Sequence, residues 1–203
     1  MNLPNKLTVA RSIMALIFVG LMSIEHVSTY FLGFVTFAAA SITDYYDGKI
    51  ARARNIETNF GKLLDPVADK VLVVAAFIML MTIEELRVPG WAIVLIIARE
   101  FLVTGLRALA AADGIVISAN NWGKTKTVLQ MVYVCTFLFF TVIITLMKDY
   151  PGAFLWLPFP AEYVTYAVGV ASQAIVILVA LYTVYSGIQF TRFNWTTLGL
   201  DHT

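Results

Sequence analysis

No aspartate, glutamate, lysine or arginine interrupts residues 127–147 or 163–191. Each run is long enough to cross a hydrocarbon core of roughly 30 Å as a helix rising about 1.5 Å per residue. Four weaker apolar stretches come before them, each charged towards one end. The pattern therefore predicts six transmembrane helices, at about 8–26, 29–50, 62–84, 89–112, 124–147 and 163–191. The punctuation agrees: Pro89-Gly90 opens the fourth helix, Gly114 follows it, and Pro151-Gly152, Pro158 and Pro160 fill the last connection. No internal repeat is visible. A single all-α transmembrane catalytic domain over residues 1–203 is expected, with any chemistry carried by helix side chains near the helix ends.

Composition supports a membrane protein: 60% of residues are hydrophobic and 13% charged, with a mean hydropathy of +0.81. A formal net charge of +1 leaves no basic footprint, and no nucleic-acid partner is expected. The position of each charge is more informative than the sum. With the N-terminus inside, Lys6, Arg11, Lys49, Arg52, Arg54, Lys62, Lys124, Lys126 and Arg192 fall on one side of the membrane, against Arg87 and Lys148 on the other. That asymmetry predicts cytoplasmic N- and C-termini. Residues Met1–Arg11 lack the order of a cleaved signal peptide, so the first span is expected to be retained. Cys135 is the lone cysteine and sits in an apolar run, which excludes an intrachain disulfide and argues against a thiolate metal site. The aromatic cluster Tyr150–Tyr166 reads as an outer interfacial belt, and residues 131–203 otherwise supply two helices.

The informative residues lie where the second span ends and the third begins. Asp44 and Asp47 are i,i+3, and Asp65 and Asp69 are i,i+4, so each pair projects from one face of its own helix. Four carboxylates brought together at a membrane repel one another unless cations compensate them. Hard oxygen donors without His or Cys suit Mg²⁺, Mn²⁺ or Ca²⁺ and argue against zinc, and four of them can hold two ions. Two ions sharing carboxylates can clamp the attacking and leaving oxygens of a phosphoryl transfer. Gly48, Ala51 and Gly61 let a phosphate or nucleotide approach the backbone, and Arg52 adds a fixed cation for a pyrophosphate. A divalent-cation transporter using the same aspartates is the alternative from another class, and it leaves Gly48, Ala51 and Arg52 without a role.

The set Asp44-x2-Asp47-Gly48-x2-Ala51-Arg52-x8-Gly61-x3-Asp65-x3-Asp69 resembles the signature of the CDP-alcohol phosphatidyltransferase family without a departure. The resemblance implies a six-helix membrane fold, commonly a homodimer, with two Mg²⁺ or Mn²⁺ ions per active site. It implies Asp44, Asp47 and Asp65 as metal ligands. Asp69 is implied as a ligand or close neighbour and as general base on the acceptor hydroxyl. The CDP moiety is expected to lie against Asp44, Gly48, Ala51, Arg52 and Gly61, with Asn5, Thr8 and Arg11 near the nucleotide.

Charge in the fourth and fifth spans bears on the acceptor. Arg99 and Glu100 interrupt an apolar run, Arg107 follows, and Lys124 and Lys126 open the fifth span. Cations this deep call for partners, and a substrate phosphate is a better candidate than Glu100 alone. An Arg99–Glu100 contact with snorkelling lysines is the bland alternative. The stretches Ala98–Arg107 and Gly123–Thr127, with the opening Leu3–Arg11, resemble the bacterial branch of the family that uses glycerol 3-phosphate. That resemblance implies CDP-diacylglycerol as donor, an active site on the cytoplasmic face of the bacterial plasma membrane, and Arg99, Arg107, Lys124 and Lys126 around the acceptor phosphate. Serine, inositol phosphate or phosphatidylglycerol remain alternative acceptors.

Overall fold

The structure is a computed structural model that describes residues 3–54, 59–112, 114, 115, 117, 121–154 and 158–195; for residues 3–8, 44–54 and 59–69 it describes the backbone alone. Six α-helices and no strand occur among the described residues: α1 (Leu3–Met22), α2 (Val27–Arg54), α3 (Asn59–Thr82), α4 (Gly90–Ala112), α5 (Asn121–Asp149) and α6 (Ala161–Phe193). Single 3-10 turns at Glu84–Leu86 and Pro151–Phe154 join α3 to α4 and follow α5.

Local chemistry sets the boundaries that hydropathy left loose. The first helix stops at Met22, short of the expected residue 26, because Ser23 Oγ bonds back to the Val19 carbonyl and His26 starts a new helix. His26 Nδ1 accepts from the Ser28 N–H at 3.1 Å, an N-cap made by an imidazole, and Thr29 Oγ1 donates to the carbonyls of Ile24 and His26. The fourth helix closes in a Schellman motif: Ile115 N–H reaches the Ala110 carbonyl at 2.8 Å and Gly114 N–H the Ala111 carbonyl at 3.1 Å, with Gly114 at φ +78°. Only glycine adopts that angle without steric cost. Arg87 closes the first 3-10 turn at φ 52°, and its guanidinium lies 4.6 Å from the Tyr166 ring centroid.

Packing centres on α1 and α5. The first helix lies against α2 and α3, while α5 touches α2, α3 and α6, and α4 packs on α6 and α3. Phe18, Phe37, Phe77, Leu80, Tyr133 and Val176 are buried in one continuous core. Phe77 stacks on Tyr133 at 5.6 Å and 12°, and the Tyr133 hydroxyl meets Ser172 Oγ at 3.0 Å, tying α3, α5 and α6 together. Gly169 on α6 is a close-approach point, since an added Cβ would sit 2.3 Å from the Glu85 carbonyl oxygen. Large apolar side chains point outward on every helix, among them Leu16, Phe31, Ile78, Leu102, Val132 and Leu178. An outer surface of this kind suits lipid rather than water. By length and composition α5 and α6 can each cross a membrane, and Val9–Met22, Val27–Thr43 and Lys70–Thr82 are shorter apolar stretches.

Candidate active site

A cavity of about 290 Å³ opens between α3, α4 and α5. Lys70 lines it from α3, Arg99, Glu100 and Arg107 from α4, and Lys124 and Lys126 from α5. The four cations singled out in the sequence thus share one chamber with a fifth, and Glu100 is the one carboxylate among the described residues that line it. Lys126 and Glu100 are 7% and 8% exposed and form an ion pair across the α4–α5 interface. Arg99 Nη1 lies 3.5 Å from the same Glu100 oxygen. Lys124 is exposed at the mouth.

The two arginines are held from behind by α6. Arg99 Nη2 donates to Ser186 Oγ at 2.9 Å, and the Arg107 guanidinium carbon stands 5.0 Å from the Phe190 ring centroid. Both Nε–H groups are buried and have no acceptor among the described residues. An unsatisfied buried donor costs about 1–3 kcal/mol, more for a charged group. Both arginines line the cationic chamber, where the excess of cationic donors over carboxylates among the described residues suits an oxyanion. Glu100 occupies Lys126 and part of Arg99, so the Arg99–Glu100 contact exists, but it leaves Arg107 without an anionic partner among the described residues.

The other sequence-predicted residues are reached through the backbone. The second helix runs unbroken through Asp44, Asp47, Gly48, Ala51 and Arg52, and α3 through Gly61, Asp65 and Asp69. Helical spacing therefore holds within each aspartate pair. Their side chains, and those of Asn5 and Thr8, lie outside the described residues, as does Trp156 of the aromatic cluster. Among the described residues no group of three or more His, Cys, Asp or Glu side chains forms a metal site. Lys70, which lines the chamber, directly follows Asp69, so α3 carries the aspartate segment up to the chamber wall.

The last helix contributes more than a span. Thr183, Ser186, Gly187 and Phe190 form one buried face of α6, where Gln130 Nε2 donates to Thr183 Oγ1 at 3.3 Å and Ser186 Oγ to the Thr183 carbonyl at 3.0 Å. The signal in the sequence is a set of small and polar residues at i, i+3 and i+4 within an apolar run, a pattern of close helix contact.

Fold and chamber together define an all-helical protein with an apolar outer surface and an anion-attracting cavity between its helices. The sequence matches the family described as CDP-alcohol phosphatidyltransferase over residues 1–181. The chain belongs to that family. It is 38% identical over 209 residues to the CDP-diacylglycerol–glycerol-3-phosphate 3-phosphatidyltransferase of Bacillus subtilis (strain 168), covering 97% of each chain. The enzyme of the same name from Rickettsia bellii (strain RML369-C) is 44% identical over 131 residues, which is 64% of this chain and 71% of that one. A probable phosphatidylglycerophosphate synthase of Mycobacterium tuberculosis (strain ATCC 25618 / H37Rv) is 39% identical over 140 residues, 68% of this chain and 66% of the other.

Proposed function

We propose that this chain transfers the phosphatidyl group of CDP-diacylglycerol to sn-glycerol 3-phosphate, releasing phosphatidylglycerophosphate and CMP. Family membership and the names of its full-length and partial relatives support the reaction. The observation that carries the choice of acceptor is the convergence of Arg99, Arg107, Lys124 and Lys126 on one chamber, where Glu100 is the one carboxylate among the described lining residues. A chamber of about 290 Å³ suits a small phosphorylated alcohol, and the convergence of Arg99, Arg107, Lys124 and Lys126 suits its phosphate.

In the reaction the 1-hydroxyl oxygen of glycerol 3-phosphate forms a bond to the lipid-side phosphorus of the donor pyrophosphate. The bond from that phosphorus to the bridging oxygen breaks, CMP leaves, and the hydroxyl proton departs. Arg99, Arg107, Lys124 and Lys126 hold the acceptor phosphate, which fixes the distance from phosphate to reacting hydroxyl. Asp69 takes the hydroxyl proton or orients it. Gly48, Ala51, Arg52 and Gly61, with Asn5 and Thr8, receive the CDP moiety. The donor set Asp44, Asp47, Asp65 and Asp69 is all hard oxygen, which fits two Mg²⁺ or Mn²⁺ ions. Such ions, when bound, polarise the pyrophosphate and neutralise the charge that develops on it.

The same reading makes the protein one catalytic domain that crosses the bacterial plasma membrane six times, acts as a homodimer, and has its termini and active site on the cytoplasmic side. The Lys/Arg asymmetry supports this orientation. So does the balance of charge: Arg99, Arg107, Lys124 and Lys126 outnumber Glu100 around one cavity, while Glu25, Glu84, Glu85 and Asp149 outnumber Lys148 around another of about 640 Å³. Appearance of label from radioactive glycerol 3-phosphate in the lipid phase, dependent on CDP-diacylglycerol, tests the reaction; label that stays in the aqueous phase contradicts it.

A further inference from the structure

We propose that Ser186, Gly187 and Phe190 of α6 are positioning residues that set acceptor affinity by fixing the guanidinium groups of Arg99 and Arg107; this rests on the reading of the chamber as the acceptor-phosphate site. All three lie beyond the part of the chain that matches the family.

Ser186 is fully buried, and its hydroxyl proton is committed to the Thr183 carbonyl at 3.0 Å. Its remaining lone pairs face a donor, and Arg99 Nη2 supplies one at 2.9 Å. The direction of that hydrogen bond is therefore determined, and with it the plane of the guanidinium. Gly187 makes room for the stem of the same arginine. A Cβ at this position would stand 2.9 Å from Arg99 Cγ and 3.4 Å from its Nε, so any side chain here pushes Arg99 off its path. One turn further on, Phe190 is 1% exposed and presents its ring to the Arg107 guanidinium at 5.0 Å. The three contacts fall at i, i+1 and i+4, on the buried face of α6 that meets α4.

The consequence is a division of labour. Glu100 takes one end of Arg99 at 3.5 Å and Ser186 takes another, while Nε, packed against Gly187, has no acceptor among the described residues. Arg107 is held by an aromatic face, which attracts the cation without consuming a hydrogen-bond donor. An arginine anchored in this way loses little conformational freedom when an oxyanion arrives, so binding is tighter than to a free side chain. Substitutions on α6 should weaken acceptor binding without reaching the donor nucleotide.

The test measures KM for glycerol 3-phosphate, KM for CDP-diacylglycerol and kcat for the purified full chain, alongside Arg99→Ala, Arg107→Ala, Ser186→Ala, Ser186→Thr and Gly187→Ala. Apparent melting temperatures of all variants are recorded. The expected result is a KM for glycerol 3-phosphate raised about 5- to 20-fold in Ser186→Ala and Gly187→Ala, near the low end of what one lost charge-assisted hydrogen bond costs, as suits an indirect effect. KM for CDP-diacylglycerol and kcat should stay within about twofold, and Ser186→Thr, which keeps the hydroxyl, should recover most of the loss. If both arginine variants raise the acceptor KM while Ser186→Ala and Gly187→Ala leave it unchanged, the positioning role is overturned and the phosphate site stands. If the arginine variants themselves leave the acceptor KM unchanged, the phosphate site falls and the positioning role with it. Parallel loss of both KM values, kcat and melting temperature in the α6 variants, without recovery in Ser186→Thr, assigns them to folding alone and also overturns the proposal.

Discussion

Lys126 on α5 donates to Glu100 on α4, and the two side chains are only 9% and 10% exposed. A buried pair of this kind contributes little relative to an apolar replacement, because desolvation of both charges offsets their attraction. Losing one member is different. Glu100→Gln leaves Lys126 beside Arg99 without its carboxylate partner, and should lower the unfolding free energy by about 3 kcal/mol. The double variant Glu100→Leu/Lys126→Met should recover much of that stability. Denaturant titration of Glu100→Leu, Lys126→Met and the double variant in mixed micelles gives the coupling; two single losses that simply add would show that the pair does not act as a unit.

Gly169 allows the 3-10 turn at Glu84–Leu86 to rest on α6, with its would-be Cβ at 2.3 Å from a backbone oxygen. A backbone neighbour cannot swing aside as a flexible side chain can. Gly169→Ala should therefore destabilise by about 1–3 kcal/mol. Because this turn is remote from the cationic chamber, the acceptor KM should be unchanged, a contrast with Gly187→Ala that one set of thermal and kinetic measurements can establish.

At the same end of the bundle Glu85 forms an ion pair with Lys148, whose side chain is 54% exposed. Burial pushes the Glu85 carboxyl up, but the hydrogen bond and charge of Lys148, together with Glu85's own backbone N–H, hold it below the ordinary value overall. A carboxyl depressed in the folded state contributes stability above its unfolded pKa, and that contribution disappears as pH falls through the folded value. Solvent screening limits it to under about 1 kcal/mol. Lys148→Met should thus reduce the acid-side loss of stability below about pH 4.5 and leave the neutral-to-alkaline side almost flat. Superimposable pH–stability curves for the two proteins would remove the pair from the account.

How far the sequence led depended on the kind of signal. The charge-free runs placed α5 and α6 within a few residues of their observed ends at Asn121–Asp149 and Ala161–Phe193. The end of α1 was misplaced because hydropathy does not register an imidazole cap at His26. The convergence of Arg99, Arg107, Lys124 and Lys126 was legible, since charges deep in apolar helices must share a polar space. The partner of Glu100 was not: Arg99 is its neighbour in sequence, whereas its closer partner, Lys126, lies on another helix. Ser186 and Gly187 were passed over because a hydroxyl and a missing side chain leave no mark on charge or hydropathy, although they shape the surroundings of Arg99.

The central claim is the pairing of a CDP-diacylglycerol donor with a phosphorylated acceptor at the aspartate set. CMP release by the purified protein with CDP-diacylglycerol and Mg²⁺ or Mn²⁺ tests it most directly, with glycerol 3-phosphate, serine, inositol phosphate and phosphatidylglycerol compared in parallel and Asp65→Asn as control. The account predicts metal-dependent release with glycerol 3-phosphate alone, reduced by at least about 100-fold in Asp65→Asn, in line with the loss of a metal ligand at a phosphoryl-transfer centre. Release with another acceptor instead, or with none of the four, would contradict it.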